Sequence, residues 1–319
     1  MPDLPPKPAA GVSRRTVARA TAAAGLAVLF GAASGTARAG AATRLGPRTL
    51  DVSVPSAALG RSAPVRLILP SDFATRPERT YPVLYLLHGA HDDYTSWTRE
   101  TDIEAFTEGR DLIVAMPDAG PTGIPSVWRG GPDYETFQVR EVPALLARDY
   151  RASGVRAVAG VSTGGYGAMA HAARHPGAFK AAASYSGILD TTAPGVPAIM
   201  DAIVARENLP AASLWGHPLL NLLTWRDFNP RARATGLRGT ALYVSQGSGV
   251  GGGSGGDPLP GVLESALWPS AQGFARTLSL MGIQATTHFY RGGGHDWAHW
   301  KPEFTASWPV LARALGVPE

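Results

Sequence analysis

Ser162 lies in Gly160-Val161-Ser162-Thr163-Gly164, between a short apolar run and an Ala-rich stretch of helical spacing that ends near His175-Pro176-Gly177. A serine hydroxyl is a poor nucleophile at neutral pH. It needs a base within hydrogen-bond reach, and the base needs an acid to orient it. Strand, sharp turn and helix are the context in which Gly-x-Ser-x-Gly works as a nucleophile elbow. Glycines two residues either side remove Cβ atoms where strand and helix crowd together. The helix N-terminus turns free amides toward negative charge formed beside the serine.

The base expected from the spacing is His295, in Gly292-Gly293-Gly294-His295-Asp296-Trp297-Ala298-His299-Trp300. The glycines let a loop carry the imidazole back over the strand ends. His299 is its rival, but four residues further on it suits the helix that follows. A His295/His299 metal pair lacks a third ligand on the same pattern, so no metal and no cofactor are expected. For the acid, two carboxylates follow the strand that ends at Ser245: Asp257, which closes a glycine-rich loop, and Glu264, on the first turns of a helix. The residues themselves leave the two open. An oxyanion needs two backbone donors. The amide of Thr163 is one, and Ala90, in the His88-Gly89-Ala90 loop after an apolar strand, supplies the other.

These residues must be brought together by the elements between them. Alternating or continuous apolar runs predict strands at 49–54, 64–69, 82–87, 112–117, 156–161, 181–187, 239–245 and 285–290. Helical spacing falls between them, at 102–109, 135–150, after Ser162, at 263–281 and at 304–315. The pattern predicts an α/β fold with a mostly parallel central sheet of about eight strands and helices on both faces. Weaker patterning from 189 to 230, with short helices at 198–206 and 213–223, predicts a small helical cap. Ligands in such sheets sit at the carboxyl ends of the strands, where His88, Ser162, Ser245 and the His295 loop all fall.

The chain has 319 residues, 45% of them hydrophobic and 17% charged, enough for a large core. It has no cysteine, so no disulfide staples it and no thiolate can act. Ser13-Arg14-Arg15-Thr16-Val17, a weakly apolar stretch at 21–34 and Ala37-Arg38-Ala39 form a twin-arginine export pattern with a cleavage site. Residues 1–42 are therefore expected to be a signal peptide and short linker, and 43–319 a single catalytic domain, secreted to the exterior or cell wall. The apolar stretch is too short to span a bilayer. Without residues 1–39 the formal charge of +4 disappears, leaving 24 basic and 24 acidic residues, so no nucleic-acid partner is expected. A monomer acting on a small-molecule, lipid or sugar ester is.

Several stretches, in order, carry a resemblance: Leu87-His88-Gly89-Ala90, Asp92-Asp93-Tyr94-Thr95-Ser96-Trp97, Met116-Pro117, Tyr134-Glu135-Thr136-Phe137, the serine motif, Asn229-Pro230 and His295-Asp296-Trp297-Ala298-His299-Trp300. From about Pro82 to Trp300 the chain resembles the branch of α/β hydrolases that holds the esterase D-type enzymes and the antigen 85 mycolyltransferases. The resemblance implies an α/β-hydrolase fold. It also implies Glu264 as the acid, since Leu263-Glu264-Ser265 is similar to the mycolyltransferases' Phe-Leu-Glu-Asn, with Asp257 as the fallback. Ser162-Thr163-Gly164-Gly165-Tyr166-Gly167 looks like a general carboxylesterase. The expectation is a serine carboxylesterase working through an acyl-enzyme on Ser162. The alternatives are an acyltransferase to a sugar or glycolipid, and a binding protein with an idle triad. Asp93, Tyr94, Trp97 and Trp297 are expected at the substrate. The aromatics Trp128, Tyr134, Trp215, Trp225 and Trp300 are further candidates, most of them expected to pack core or cap.

Overall fold

The computed structural model describes residues 42–253 and 256–319; the twin-arginine segment lies outside them. The strands are β1 (Ala42–Arg44), β2 (Thr49–Ser56), β3 (Arg61–Ile68), β4 (Tyr81–Leu87), β5 (Ile113–Pro117), β6 (Ala152–Val161), β7 (Ala181–Tyr185), β8 (Ala241–Gly247) and β9 (Thr286–Tyr290). They form one sheet in the order β1-β2-β3-β5-β4-β6-β7-β8-β9. The first three pairings are antiparallel and the rest parallel. About eight strands were expected. The ninth is β1, three exposed residues with no apolar alternation, which only its pairing to β2 makes a strand.

The helices are α1 (Ser96–Glu100), α2 (Ile103–Phe106), α3 (Tyr134–Thr136), α4 (Val142–Asp149), α5 (Thr163–Arg174), α6 (Val196–Arg206), α7 (Leu222–Asp227), α8 (Leu259–Leu280) and α9 (Trp297–Leu315). A π-helical turn, Phe137–Glu141, joins α3 to α4. Strand side chains alternate between the two faces. In β4, Val83, Tyr85 and Leu87 pack toward α4, α5 and α8, while Leu84 and Leu86 pack toward α2 and α9. A third cluster, with Trp128, Tyr166, Met200, Trp215, Trp225 and Phe228, forms the cap over the strand ends.

Two helices depart from expectation. The cap helix expected at 213–223 is instead a set of turns followed by α7. Pro218 has no N–H to donate and disfavours helical backbone at His217. Conversely, α9 begins at Trp297 rather than 304 and runs through Pro302 and Pro309. Trp300, Phe304, Trp308, Leu311 and Leu315 form one buried stripe at helical spacing. At roughly 1.5–3 kcal/mol per large side chain, that burial outweighs a proline cost of ~3 kcal/mol each. Asp296 caps the start, accepting from the His299 amide.

The far end of α5 is anchored by a buried ion cluster. Arg174 Nε lies 3.0 Å from Glu135 Oε2, and His175 Nε2 lies 2.7 Å from Glu135 Oε1. Burial pushes the Glu135 carboxyl up, but the His175 hydrogen bond, the electrostatic pull of His171 and Arg174 and the Arg174 hydrogen bond outweigh it and hold it at about 2. An unfolded glutamate titrates near 4.3. The stabilisation is therefore complete above about pH 4.3 and is lost as pH falls toward 2. Glu135→Gln is expected to lower unfolding free energy at pH 7 by on the order of 2–3 kcal/mol. Urea melts should show that gap closing toward pH 2; a gap that stays constant with pH rules the account out.

Candidate active site

Strand order places the site. β5 lies on one side of β4 and β6 on the other, so the chain leaves the ends of β4 and β6 in diverging directions and opens a crevice between them. Ser162 sits at the end of β6 with φ +54° and ψ −120°, a strained conformation for a residue with a Cβ. The turn closes because its glycines are bare. A Cβ on Gly160 would lie 2.3 Å from the Gly164 backbone, and one on Gly164 would lie 2.5 Å from the carbonyl oxygens of Leu87 and His88.

Ser162 Oγ lies 2.8 Å from His295 Nε2, and His295 Nδ1 lies 2.9 Å from Glu264 Oε2. Glu264 is fully buried and its other oxygen is saturated. Oε1 accepts from Ser186 Oγ at 2.7 Å and from the Gly247 amide at 2.7 Å. A carboxylate cannot donate, so His295 Nδ1 must carry the proton toward Glu264, and Nε2 is left to accept from the serine hydroxyl. Asp257 is elsewhere in function: it is exposed, and its Oδ1 accepts from the Leu259 amide at the start of α8. His299 Nδ1 is held 2.7 Å from Asp296 Oδ1. Ser186 and the Gly247 amide are partners that sequence reasoning missed. The only local sign of Ser186 is a left-handed backbone, φ +51°, visible in three dimensions.

Ala90 lies on the cavity wall beside Ser162, and Thr163 is the first residue of α5, whose first amides have no partner within the helix. The loop before Ala90 is fixed by His88. The Ala119 amide donates to His88 Nε2 at 3.0 Å, so the proton must sit on Nδ1, which donates to the Gly89 carbonyl at 2.9 Å. Burial pushes the His88 imidazole below its ordinary pKa and keeps it neutral. Gly123, at φ +57°, packs so closely that a Cβ there would lie 2.3 Å from the Gly89 oxygen.

The cavity at Ser162 holds about 340 Å³. Much of its lining is aliphatic: Ile199 and Ile203 of α6, Leu259, Leu263 and Leu267 of α8, and Ile188. His91, Asp92 and Arg206, the last residue of α6, are its charged or polar members beside Ser162 and His295. Of the four residues expected at the substrate, none lies in this wall. Trp97 is fully buried, and its indole N–H donates to the Leu87 carbonyl at 3.2 Å. Asp93 Oδ1 accepts from the Thr95 amide, and Tyr94 donates to Asp51 under Arg66. Trp297 stacks edge-on between Trp97 and Trp300, with centroids 5.0 and 5.4 Å away, and Trp300 in turn stands 5.0 Å from the His295 ring. This series of ring contacts runs from Trp97 to the loop that carries His295. Their spacing on the chain says only that they are aromatic; the structure buries Trp97, leaves Trp297 half-buried and puts Trp300 in the cavity wall beside His295.

Residues 56–311 match a protein-family model described as "Putative esterase". The chain is 32% identical to the diacylglycerol acyltransferase/mycolyltransferase Ag85B of Mycobacterium intracellulare, over 95% of this chain and 94% of that one. Its fold is similar to that of MPT51 (FbpC1) of Mycobacterium tuberculosis, with a TM-score of 0.70 at 25% identity, covering 82% of this chain and 97% of that one. An S-formylglutathione hydrolase from Agrobacterium tumefaciens shares the fold at 17% identity, with a TM-score of 0.65 over 88% of this chain and all of that one.

Proposed function

The chain belongs to the esterase family of α/β hydrolases, a family of serine hydrolases and acyltransferases, and within it we propose a carboxylesterase that cleaves esters of medium-length aliphatic acids. The observation that carries this reading is the hydrogen-bonded series Ser162–His295–Glu264 at the floor of a half-aliphatic cavity. Ser162 Oγ attacks the ester carbonyl while His295 Nε2 takes its proton. The Ala90 and Thr163 amides hold the oxyanion, each such donor being worth about 3 kcal/mol in the transition state. The imidazolium, stabilised by Glu264, then gives that proton to the leaving alkoxide. Water, deprotonated by the same nitrogen, attacks the acyl-enzyme and frees the acid.

The acyl chain is assigned to the slot between α6 and α8. A volume of 340 Å³ holds on the order of ten groups of ~30 Å³, the share of one water, which suits a medium chain and excludes very long ones. Each buried methylene adds about 0.8 kcal/mol, so lengthening acetyl to butanoyl should raise kcat/KM on p-nitrophenyl esters about tenfold, with a maximum near octanoyl. A second reading, acyl transfer to an alcohol, is favoured by the 32% identity to an acyltransferase over nearly the whole chain. One assay separates them: the same esters, with glycerol or trehalose added at millimolar concentration. Free acid as the main product supports the esterase; an acylated alcohol as the main product replaces it with the transferase.

A further inference from the structure

Two residues, one in the cavity wall and one at the end of the helix that helps build it, stand where local physics disfavours them. His91, next after Ala90, has left-handed backbone at φ +59°, which crowds the Cβ of any residue but glycine. Glu207 is the C-cap of α6, where a carboxylate faces the negative end of the helix dipole. Their side chains meet, His91 Nδ1 against Glu207 Oε1, and are only 21% and 23% exposed. Two unfavourable placements that satisfy each other across 116 residues of chain mark a constraint beyond local stability.

We propose that the His91–Glu207 pair is a clamp that positions the Ala90 amide for the oxyanion. On its core side the loop is held by His88 and by the His91 amide, which donates to the Pro121 carbonyl at 2.7 Å. On its outer side the side chain of His91 is its tie to the cap. Because Ile199 and Ile203 of the same helix form the acyl wall, the clamp makes that wall and the oxyanion donor one unit. Both residues are positioning residues, since neither needs to touch the reacting atoms. The proposal rests on the reading of Ser162 as nucleophile and Ala90 as donor.

The test uses the full chain with Glu207→Ala, Glu207→Gln, His91→Asn and the His91→Asn/Glu207→Ala double variant. Asparagine tolerates left-handed backbone, so His91→Asn serves if Glu207→Ala fails to fold. A misplaced donor acts on the transition state and not on ground-state binding. We expect kcat on p-nitrophenyl octanoate to fall about tenfold with KM within twofold. Inhibition by an alkyl boronic acid, which forms a tetrahedral adduct on the serine, should weaken in parallel. Glu207→Gln, which keeps an acceptor oxygen, should recover part of the loss, and the double variant should be no slower than the slower single one. A kcat within twofold of the parent, a change confined to KM, or a double variant as slow as the product of the two singles overturns the clamp. The premise fails separately: a Ser162→Ala variant that still turns over removes the whole reading, whereas an inactive Ser162→Ala beside a fully active Glu207→Ala removes the clamp alone.

Discussion

Ser162→Ala is expected to lower ester hydrolysis about 10⁵–10⁶-fold, the scale seen when a triad serine is removed and only oxyanion donors and binding remain. Labelling by a fluorophosphonate should vanish with it. The fold should survive. The Oγ makes its hydrogen bond to His295 alone among the described residues, and alanine carries the same Cβ into the same strained turn as serine. The glycines that let the turn close are untouched. A thermal midpoint within a few degrees of the parent would show that the loss is chemical. Should the purified variant keep more than about a thousandth of the parent rate, Ser162 is not the nucleophile; Ser186 could not replace it as it stands, since its Oγ donates to Glu264 and not to an imidazole.

Glu264→Gln is expected to cost about 10³–10⁴ in kcat, as when a triad carboxylate becomes an amide and the histidine takes the wrong tautomer. The surroundings of Glu264 explain why. The Gly247 amide can only donate, so the glutamine must turn its carbonyl oxygen toward Gly247 and Ser186. That leaves its NH₂ facing His295 Nδ1. An NH₂ donates, so Nδ1 must accept, the ring proton moves to Nε2, and Ser162 loses its base. Size and packing are unchanged, so stability should shift little compared with activity. Asp257→Asn is the control: an exposed carboxylate whose role is to accept from the Leu259 amide should leave kcat within twofold. If Asp257→Asn is the slow variant and Glu264→Gln the active one, the acid has been misassigned.

The Glu264 environment also illustrates what a linear reading can carry. Glu264 lies in register with Gly261, Leu267, Ala271, Phe274 and Leu278, the buried stripe of α8, so a carboxylate on the core face was present in the pattern. The pattern alone left it level with Asp257, and resemblance to the mycolyltransferases favoured it. Strands β4, β5, β7 and β8 were legible because burial on both faces writes continuous apolar runs, and β2 and β3 because one buried face writes an alternation. β1 was not, since an exposed three-residue edge is made by its partner. The start of α9 was hidden behind Pro302, and the expected cap helix at 213–223 was broken by Pro218. In each case a local preference was overruled or enforced by packing that spans distant parts of the chain.

By itself the sequence determined the elbow, since bare Cβ positions at Gly160 and Gly164 and a serine between them are properties of residue type and spacing. It determined the α/β alternation, and the positions of Ser162 and His295 after their strands. Only the tertiary structure decided which side chains form the cavity. Trp97, Tyr94, Asp93 and Trp297, which share their stretches with site residues, stay out of the cavity wall, Trp97 buried in the core and Asp93 exposed in a turn, while isoleucines and leucines of α6 and α8, unremarkable in sequence, form the wall. It also decided the partners that fix the imidazole and the oxyanion loop: Ser186, the Gly247 amide, His88 and the pairing of His91 with Glu207. Residue type sets what a group can donate or accept, but which group it meets depends on long-range packing, and residues 78 or 116 positions apart in the chain carry no local trace of the encounter.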